Sequence, residues 1–417
     1  MTSPQASSAR IPTLGGWRGV AIYLIAFAVV IARRPDAVFH AQFYAEDGSI
    51  WFADAYNYGW WRVLFSPYEG YLHVLPRAAA AIALLVPLSR AALVENLIAI
   101  AIEVLPVSLL LLSRSAPWGS FRFRALLASL YLFLPNTREM VGTVTESQWI
   151  IGLIALLLLV ALPPQSRAAR AFDLATFTLC GLTGPFCIFL FPISVFLLWS
   201  SRQDHWRRLT TSILLLCSII QSLSLLLHPS GRHHPFLGAS PEWFARLLAG
   251  QVYLGTLLGG NELSLRLSAE MLTFIAVVGT MILVLAAKSA PTGMRLLLLF
   301  SCILFVAALA TPVTFPAPGS SAWKMLASCA GARYWFFLSL AYAWSLAYCA
   351  RNAAWAVRYP AVCLLVIMAV GFVRDFRYPA FADLTPQYAK RFADVPTGTI
   401  ITIPVNPSGW NMWLIKR

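Results

Sequence analysis

Between Val20 and Val373 the chain runs through one apolar stretch after another, joined by short connections in which the basic residues collect. That feature constrains the fold more than any motif. A chain that is 59% hydrophobic and 12% charged has too few polar groups to cover a water-facing surface. The sequence therefore predicts an all-α polytopic membrane protein of about 10 transmembrane helices, within a range of about 9 to 12, since each span needs about 20 apolar residues. Interface helices are expected in the first outer loop, and no large soluble domain is left to hold the chemistry.

The net charge of +14 does not point to nucleic acid, because the basic residues lie singly and in pairs rather than on one stripe. Their placement orients the chain instead. Arg167 and Arg170, then Arg202, Arg207 and Arg208, then Lys288 and Arg295, then Arg351 and Arg358 mark four cytoplasmic connections. Spans over 209–227, 268–287, 296–311, 334–349 and 360–373 lie between them, leaving 228–267, 312–333 and the tail outside.

Residues 173–199 are too few for two full crossings, and Thr183-Gly184-Pro185 suggests a hairpin of two short helices, with a single kinked span as the alternative. In the amino half, Arg114, Arg122 and Arg124 favour an inside loop at 113–124. One of the apolar stretches 74–88, 91–112 and 121–135 must then not cross, and 74–88 is expected to lie on the membrane or re-enter it. Arg33-Arg34-Pro35 after Val20–Ala32, with no small-x-small cleavage site, reads as the end of a retained first span. The organisation is a transmembrane unit over 1–373, with first outer loop 33–73, and a short outer tail over 374–417. The seven cysteines form no CxxC and no Cys/His pair, so neither a disulfide nor a zinc site is expected.

Chemistry concentrates in the outer connections. The first runs from His40 through Glu46-Asp47-Gly48 and three tryptophans to Tyr68 and His73, dense in acids and aromatics. A carboxylate held there at the membrane face can act as a general base or help to hold a divalent cation, and adjacent side chains diverge, so one of Glu46 and Asp47 is expected to react. A helix starting near Tyr71 would stack His73 and Arg77 on one face, a pair able to hold a phosphate. Glu146 is the second candidate carboxylate. Arg232 and His233 form a cationic turn, after which 243–258 reads as an amphipathic helix lying on the membrane. Lys324 precedes Gly331-Ala-Arg-Tyr-Trp335, where Arg333 enters a span and calls for an anionic partner.

Taken together, the acidic pair Glu46-Asp47 after span one, the motif Gly331-Ala-Arg-Tyr, and the segments Thr143-Val-Thr-Glu-Ser-Gln-Trp149 and Leu182-Thr-Gly-Pro-Phe186 resemble the C-type (GT-C) membrane glycosyltransferases, including uncharacterised bacterial members. The likeness covers 18–375. It implies a polyprenyl-phosphate-sugar donor, a lipid or glycan acceptor, an active site at the periplasmic or exterior face of the bacterial inner membrane, Asp47 or Glu46 as base, and Arg333 as phosphate ligand. The residues themselves offer Tyr68, His73, Arg77, Glu146, Arg232, His233 and Lys324 as further binding candidates. No cofactor is implied with certainty; a divalent cation is compatible. The chain departs from the pattern in having only the tail after Arg374 where others carry a large outer domain. The competing reading is a transporter or flippase of a lipid-linked saccharide, with Glu95, Glu103 and the broken segment around Gly184-Pro185 as coupling and substrate groups.

Overall fold

The computed structural model describes residues 17–200, 204–229, 235–260, 263–314, 316–328 and 331–417. They form α1 (Trp17–Arg33), α2 (Val74–Ala83), α3 (Leu88–Leu111), α4 (Phe121–Leu132), α5 (Ser147–Val160), α6 (Arg167–Gly181), α7 (Phe186–Trp199), α8 (His205–Leu227), α9 (Ala269–Ser289), α10 (Thr292–Ala310), α11 (Ala332–Asn352), α12 (Trp355–Arg374) and α13 (Thr385–Asp394), closed by strands β1 (Ile400–Val405) and β2 (Trp410–Ile415). Five of them, α3, α8, α9, α10 and α12, are long and apolar enough to cross a membrane. The chain is an all-α polytopic membrane protein with one two-stranded sheet in its tail.

Burial separates the centre of the bundle from its rim. Every residue of α5 is buried, as are most of α11, whereas Phe274, Val277 and Met281 of α9 and Val366, Val370 and Val373 of α12 stand exposed. Apolar rows on the outside of a packed bundle are what a lipid environment permits and water does not. Where α9 meets Tyr253, Gly279 supplies the space: a Cβ there would come within 2.3 Å of the tyrosine ring.

The two ends of the bundle follow from helix-end contacts. At one end Leu162 N–H bonds Arg114 O at 2.8 Å, Arg351 reaches Ser120 Oγ at 3.1 Å, and Tyr348 Oη reaches Ser289 O at 2.6 Å. Arg124, expected in the inside loop, sits in α4 and caps the end of α3 through Leu110 O at 2.8 Å. At the other end Arg33 closes α1 against Leu132 O and Leu134 O, and Asp375 after α12 accepts from Asn136 N–H at 2.6 Å.

Three of the helices that meet the second end are short. α2 has 10 residues, α5 and α7 have 14 each, and at 1.5 Å per residue the longer two reach about 21 Å, less than the ~30 Å hydrocarbon thickness. α6 and α7 are the two short helices expected over 173–199, reversing at 182–185. That reversal docks on the segment before α2: Val74 N–H bonds Leu182 O, Gly184 N–H bonds Leu72 O at 2.9 Å, and Thr183 Oγ1 accepts from Leu75 N–H at 3.0 Å. Gln221 of α8 clasps both sides through Leu72 N–H, Gly181 O and Gly184 O. Gly184 is required by its φ of +74°, and a Cβ there would strike Gln148.

One expectation needs correction. The segment 243–258 does not lie on a surface: Leu247, Ala249, Val252 and Tyr253 are buried, and Tyr253 packs on Tyr342 of α11. Its small residues let it enter the bundle, Gly250 facing Ser264 closely. The tail is a folded cap. β1 and β2 bury Ile403, Val405, Met412 and Leu414 against Phe43 and Phe52 of the loop between α1 and α2, and Asn57 joins that loop to Trp413 O and Ile415 N–H at 2.9 Å each.

Candidate active site

The loop between α1 and α2 is helical from Asp47 to Val63, opening with two stretches of wide turns that bring Trp51 and Phe52 inward and leave Trp60 and Trp61 exposed. Near its start the chain is held tightly: Gly48 has Phe43 and Val405 so close that a Cβ would approach them to 2.8 and 3.1 Å. This packing divides the acidic pair. Asp47 turns into the protein and Glu46 toward a cavity.

Asp47 is 1% exposed and accepts hydrogen bonds from Thr145 Oγ1 at 2.6 Å, Thr145 N–H at 2.8 Å and Val144 N–H at 3.1 Å. Both of its oxygens are occupied in fastening the 143–146 turn to the first loop. Burial pushes its carboxyl up to about 7 against the opposing pull of those donors. The expectation of a carboxylate open to a substrate therefore does not describe Asp47. Glu46 lines the cavity, and burial raises its carboxyl above the ordinary range, with Arg333 opposing and Glu139 and Glu69 adding to the rise.

The cavity, about 340 Å³, has two kinds of wall. Its polar lining is Glu46, Tyr68, Glu69, His73, Glu146 and Arg333; its apolar lining includes Phe186, Ile188 and Phe189 of α7, Leu225 of α8, and Leu304, Ala307 and Ala308 of α10. Its size falls in the range of ligand pockets.

Arg333 stands at the start of α11 with Gly331 as its N-cap. Its guanidinium pairs with Glu139 Oε1 and, at 3.3 Å, with Glu146 Oε1, and stacks over the Tyr334 ring at 4.8 Å. Glu139 Oε2 also accepts the Arg333 backbone N–H. Glu146 is 1% exposed and caps α5; its Oε2 has no hydrogen-bond partner, and burial raises its carboxyl well above the usual range despite Arg333. The cation expected at the mouth of a span is thus present, and already shared by two carboxylates.

His73 and Arg77 part company. His73 lies in the cavity wall between Trp51, at 4.8 Å, and Tyr71, at 4.6 Å. Neither ring nitrogen has a hydrogen-bond partner, and burial with nearby Arg77 lowers its pKa to about 3, so the imidazole is neutral. Arg77 is turned away, ion-paired with Asp54 at 3.0 Å and seated over Trp51. The two do not form the joint phosphate ligand that their spacing suggested, because His73 precedes α2 and its ring follows the aromatic stack. Lys324 is exposed on Ala322–Ala327 and does not line the cavity. Arg232 and His233 lie outside the described residues.

The sequence did not single out Glu69 or Glu139, nor the apolar wall. Glu69 had one available sign, its place before Gly70 in a tight turn, where it adopts a φ of +49°. Among the described residues no group of three or more His, Cys, Asp or Glu side chains is arranged to hold a metal ion, and no step below is routed through one.

No protein-family model matches the chain, and no curated protein does. Among solved structures it is similar to the Archaeoglobus fulgidus oligosaccharyltransferase, crystallised in complex with Zn and sulfate, at 12% identity and a TM-score of 0.45. The match covers 90% of this chain and 56% of that one, so the chain spans little more than half the length of that enzyme. At that distance the cavity itself must carry the functional reading.

Proposed function

We propose that this chain is a membrane glycosyltransferase that moves a sugar from a polyprenyl-phosphate carrier to a lipid or glycan acceptor of the cell envelope, at the outer face of a bacterial inner membrane. The observation that carries the reading is the cavity's mixed lining. A carboxylate and a guanidinium share it with apolar side chains from three helices, the combination that a sugar on an isoprenoid phosphate calls for. The basic connections at the opposite end support placing the cavity outside.

In this reading Glu46, in its carboxylate form, takes the proton of an acceptor hydroxyl as that oxygen attacks the anomeric carbon. The bond from that carbon to the carrier phosphate breaks, and the phosphate departs with both electrons toward Arg333. A planar fork of donors suits two phosphate oxygens, and Glu139 and Glu146 hold it in place before the phosphate arrives. Neutral His73 offers one donor and one acceptor to a sugar hydroxyl, and Asp47 fixes the 143–146 turn that carries Glu146. A single displacement inverts the anomeric centre.

The transporter reading calls on Glu95, Glu103 and the broken segment at Gly184-Pro185. Pro185 lines the cavity, but neither Glu95 nor Glu103 does, and Glu103 accepts Gly142 N–H at 3.3 Å. Both oxygens of Glu95 lack partners, which, with Pro185, favours that reading. The test separates the two. Purified protein is incubated with radiolabelled polyprenyl-phosphate mannose, glucose, galactose and arabinose and an envelope lipid extract. Label is expected in a new product with at least one donor; lipid-linked sugar that crosses a proteoliposome membrane unchanged would contradict the enzyme reading.

A further inference from the structure

The tail and the loop between α1 and α2 meet one residue before Glu46. Tyr44 and Asn406 form a parallel bridge, in which Asn406 N–H bonds Phe43 O at 3.2 Å and Ala45 N–H bonds Asn406 O at 2.5 Å. Ala45 has a φ of +42°, a left-handed conformation that an alanine rarely adopts. Such a conformation persists only where its surroundings over-determine it. Here they do: Ala45 is 5% exposed, its N–H is taken by the tail, and its carbonyl accepts Ser49 Oγ at 2.9 Å.

Asn406 is itself fixed. Its side-chain amide makes a two-way clasp with Ala382, Oδ1 accepting the backbone N–H and Nδ2 donating to the carbonyl, each at 3.0 Å. The segment around Ala382 is in turn tied to the first loop: Phe381 N–H bonds Asp36 Oδ2, and Gln42 spans Leu384 N–H and Asp383 Oδ1. Tyr44 stacks on Phe381 at 5.1 Å. The whole clasp converges on the backbone whose turn sends Glu46 into the cavity and Asp47 away from it.

We infer that Asn406 is a positioning residue for the reaction: through its clasp on Ala382 the tail holds Ala45 in the left-handed conformation that aims Glu46 at the substrate. The inference rests on the proposed role of Glu46. It assigns to the last 40 or so residues a part in chemistry, although none of them lines the cavity.

Full-length Asn406→Ala, Asn406→Asp and the double variant Asn406→Ala with Ala45→Gly test it, beside Glu46→Gln. In Asn406→Ala the Ala45 amide is expected to exchange hydrogen about tenfold faster, while the Thr145 amide, held by Asp47, keeps its protection. At equal folded protein, kcat is expected to fall on the order of 10²-fold with KM for the lipid-linked sugar little changed. Asn406→Asp, which retains the acceptor half of the clasp, falls between. Glycine at 45 adopts positive φ without strain and is expected to restore several-fold of the lost kcat. A parallel loss of kcat and rise of KM, no rescue by glycine, or unchanged Ala45 exchange would overturn the positioning role. Full activity of Glu46→Gln would instead overturn the base on which it rests.

Discussion

At one end of the bundle the chain turns back quickly and its charges serve the turns. Arg114 pairs with Asp173 at 2.5 Å, Arg207 with Asp204 at 3.3 Å, and Arg124 caps carbonyls of α3. At the other end the connections are long, and Glu46, Asp47, Glu139, Glu146 and Arg333 are drawn together beside a cavity. A charge beside water orients a helix at little cost, whereas a charge taken below the interface needs a partner and a purpose. Within the second end the same contrast recurs between neighbours: Asp47 has all its partners inside the protein, and Glu46 faces the cavity.

The largest expected effect tests that contrast. Glu46→Gln should lower kcat about 10²- to 10⁴-fold while leaving thermal unfolding unchanged, because a general base is lost and no tie is cut. A wild-type rate would make the acidic end structural throughout. Next comes Arg333: Arg333→Ala should cost on the order of 10²-fold, as for loss of one charge-stabilising donor, and Arg333→Lys less, since it keeps the charge and loses the fork. Titration with donor at fixed acceptor reads this as a weakened donor response.

Asp47→Asn should act in the opposite sense to Glu46→Gln. An amide there must turn a donor toward the N–H of Val144 or Thr145, leaving buried donors unmatched at about 1–3 kcal/mol. The melting temperature should fall, and the folded fraction should keep more of its rate than Glu46→Gln does.

A pH profile gives a smaller effect with a definite sign. Glu46 must be ionised to accept a proton, and burial raises its carboxyl, so activity should rise with pH along a limb lying above the ordinary glutamate value of about 4.3. Arg333 lowers that value; Arg333→Gln should therefore move the limb to higher pH. Smallest of all, Lys324→Ala should shift stability by less than about 0.5 kcal/mol and leave the rate unchanged, since that side chain is exposed and outside the cavity.

Much of the bundle was legible because hydropathy and arginine placement obey local rules. The short helix over 74–83, the reversal at 182–185 and the gathering of basic connections at one end all follow from lengths, glycine, proline and charge. What was not legible depends on packing between distant segments. Nothing in Glu46-Asp47 says which one faces inward; the distant tail meets the backbone beside them, Asn406 O accepting the Ala45 N–H and Val405 lying close to Gly48. His73 and Arg77 have the right helical spacing, yet Asp54 and Trp51 claim the arginine. The folding of the tail was not legible either, because its two strands find their apolar partners in the loop between α1 and α2.

The central claim is that the cavity holds a polyprenyl phosphate, and affinity measures it most directly. Binding of polyprenyl phosphate without a sugar is compared in the wild-type protein, in Arg333→Ala in the polar lining and in Ala308→Trp on the apolar wall. Loss of about tenfold or more in both variants is expected, with inorganic phosphate competing poorly because it leaves the apolar wall unfilled. Wild-type affinity in both variants would contradict the account.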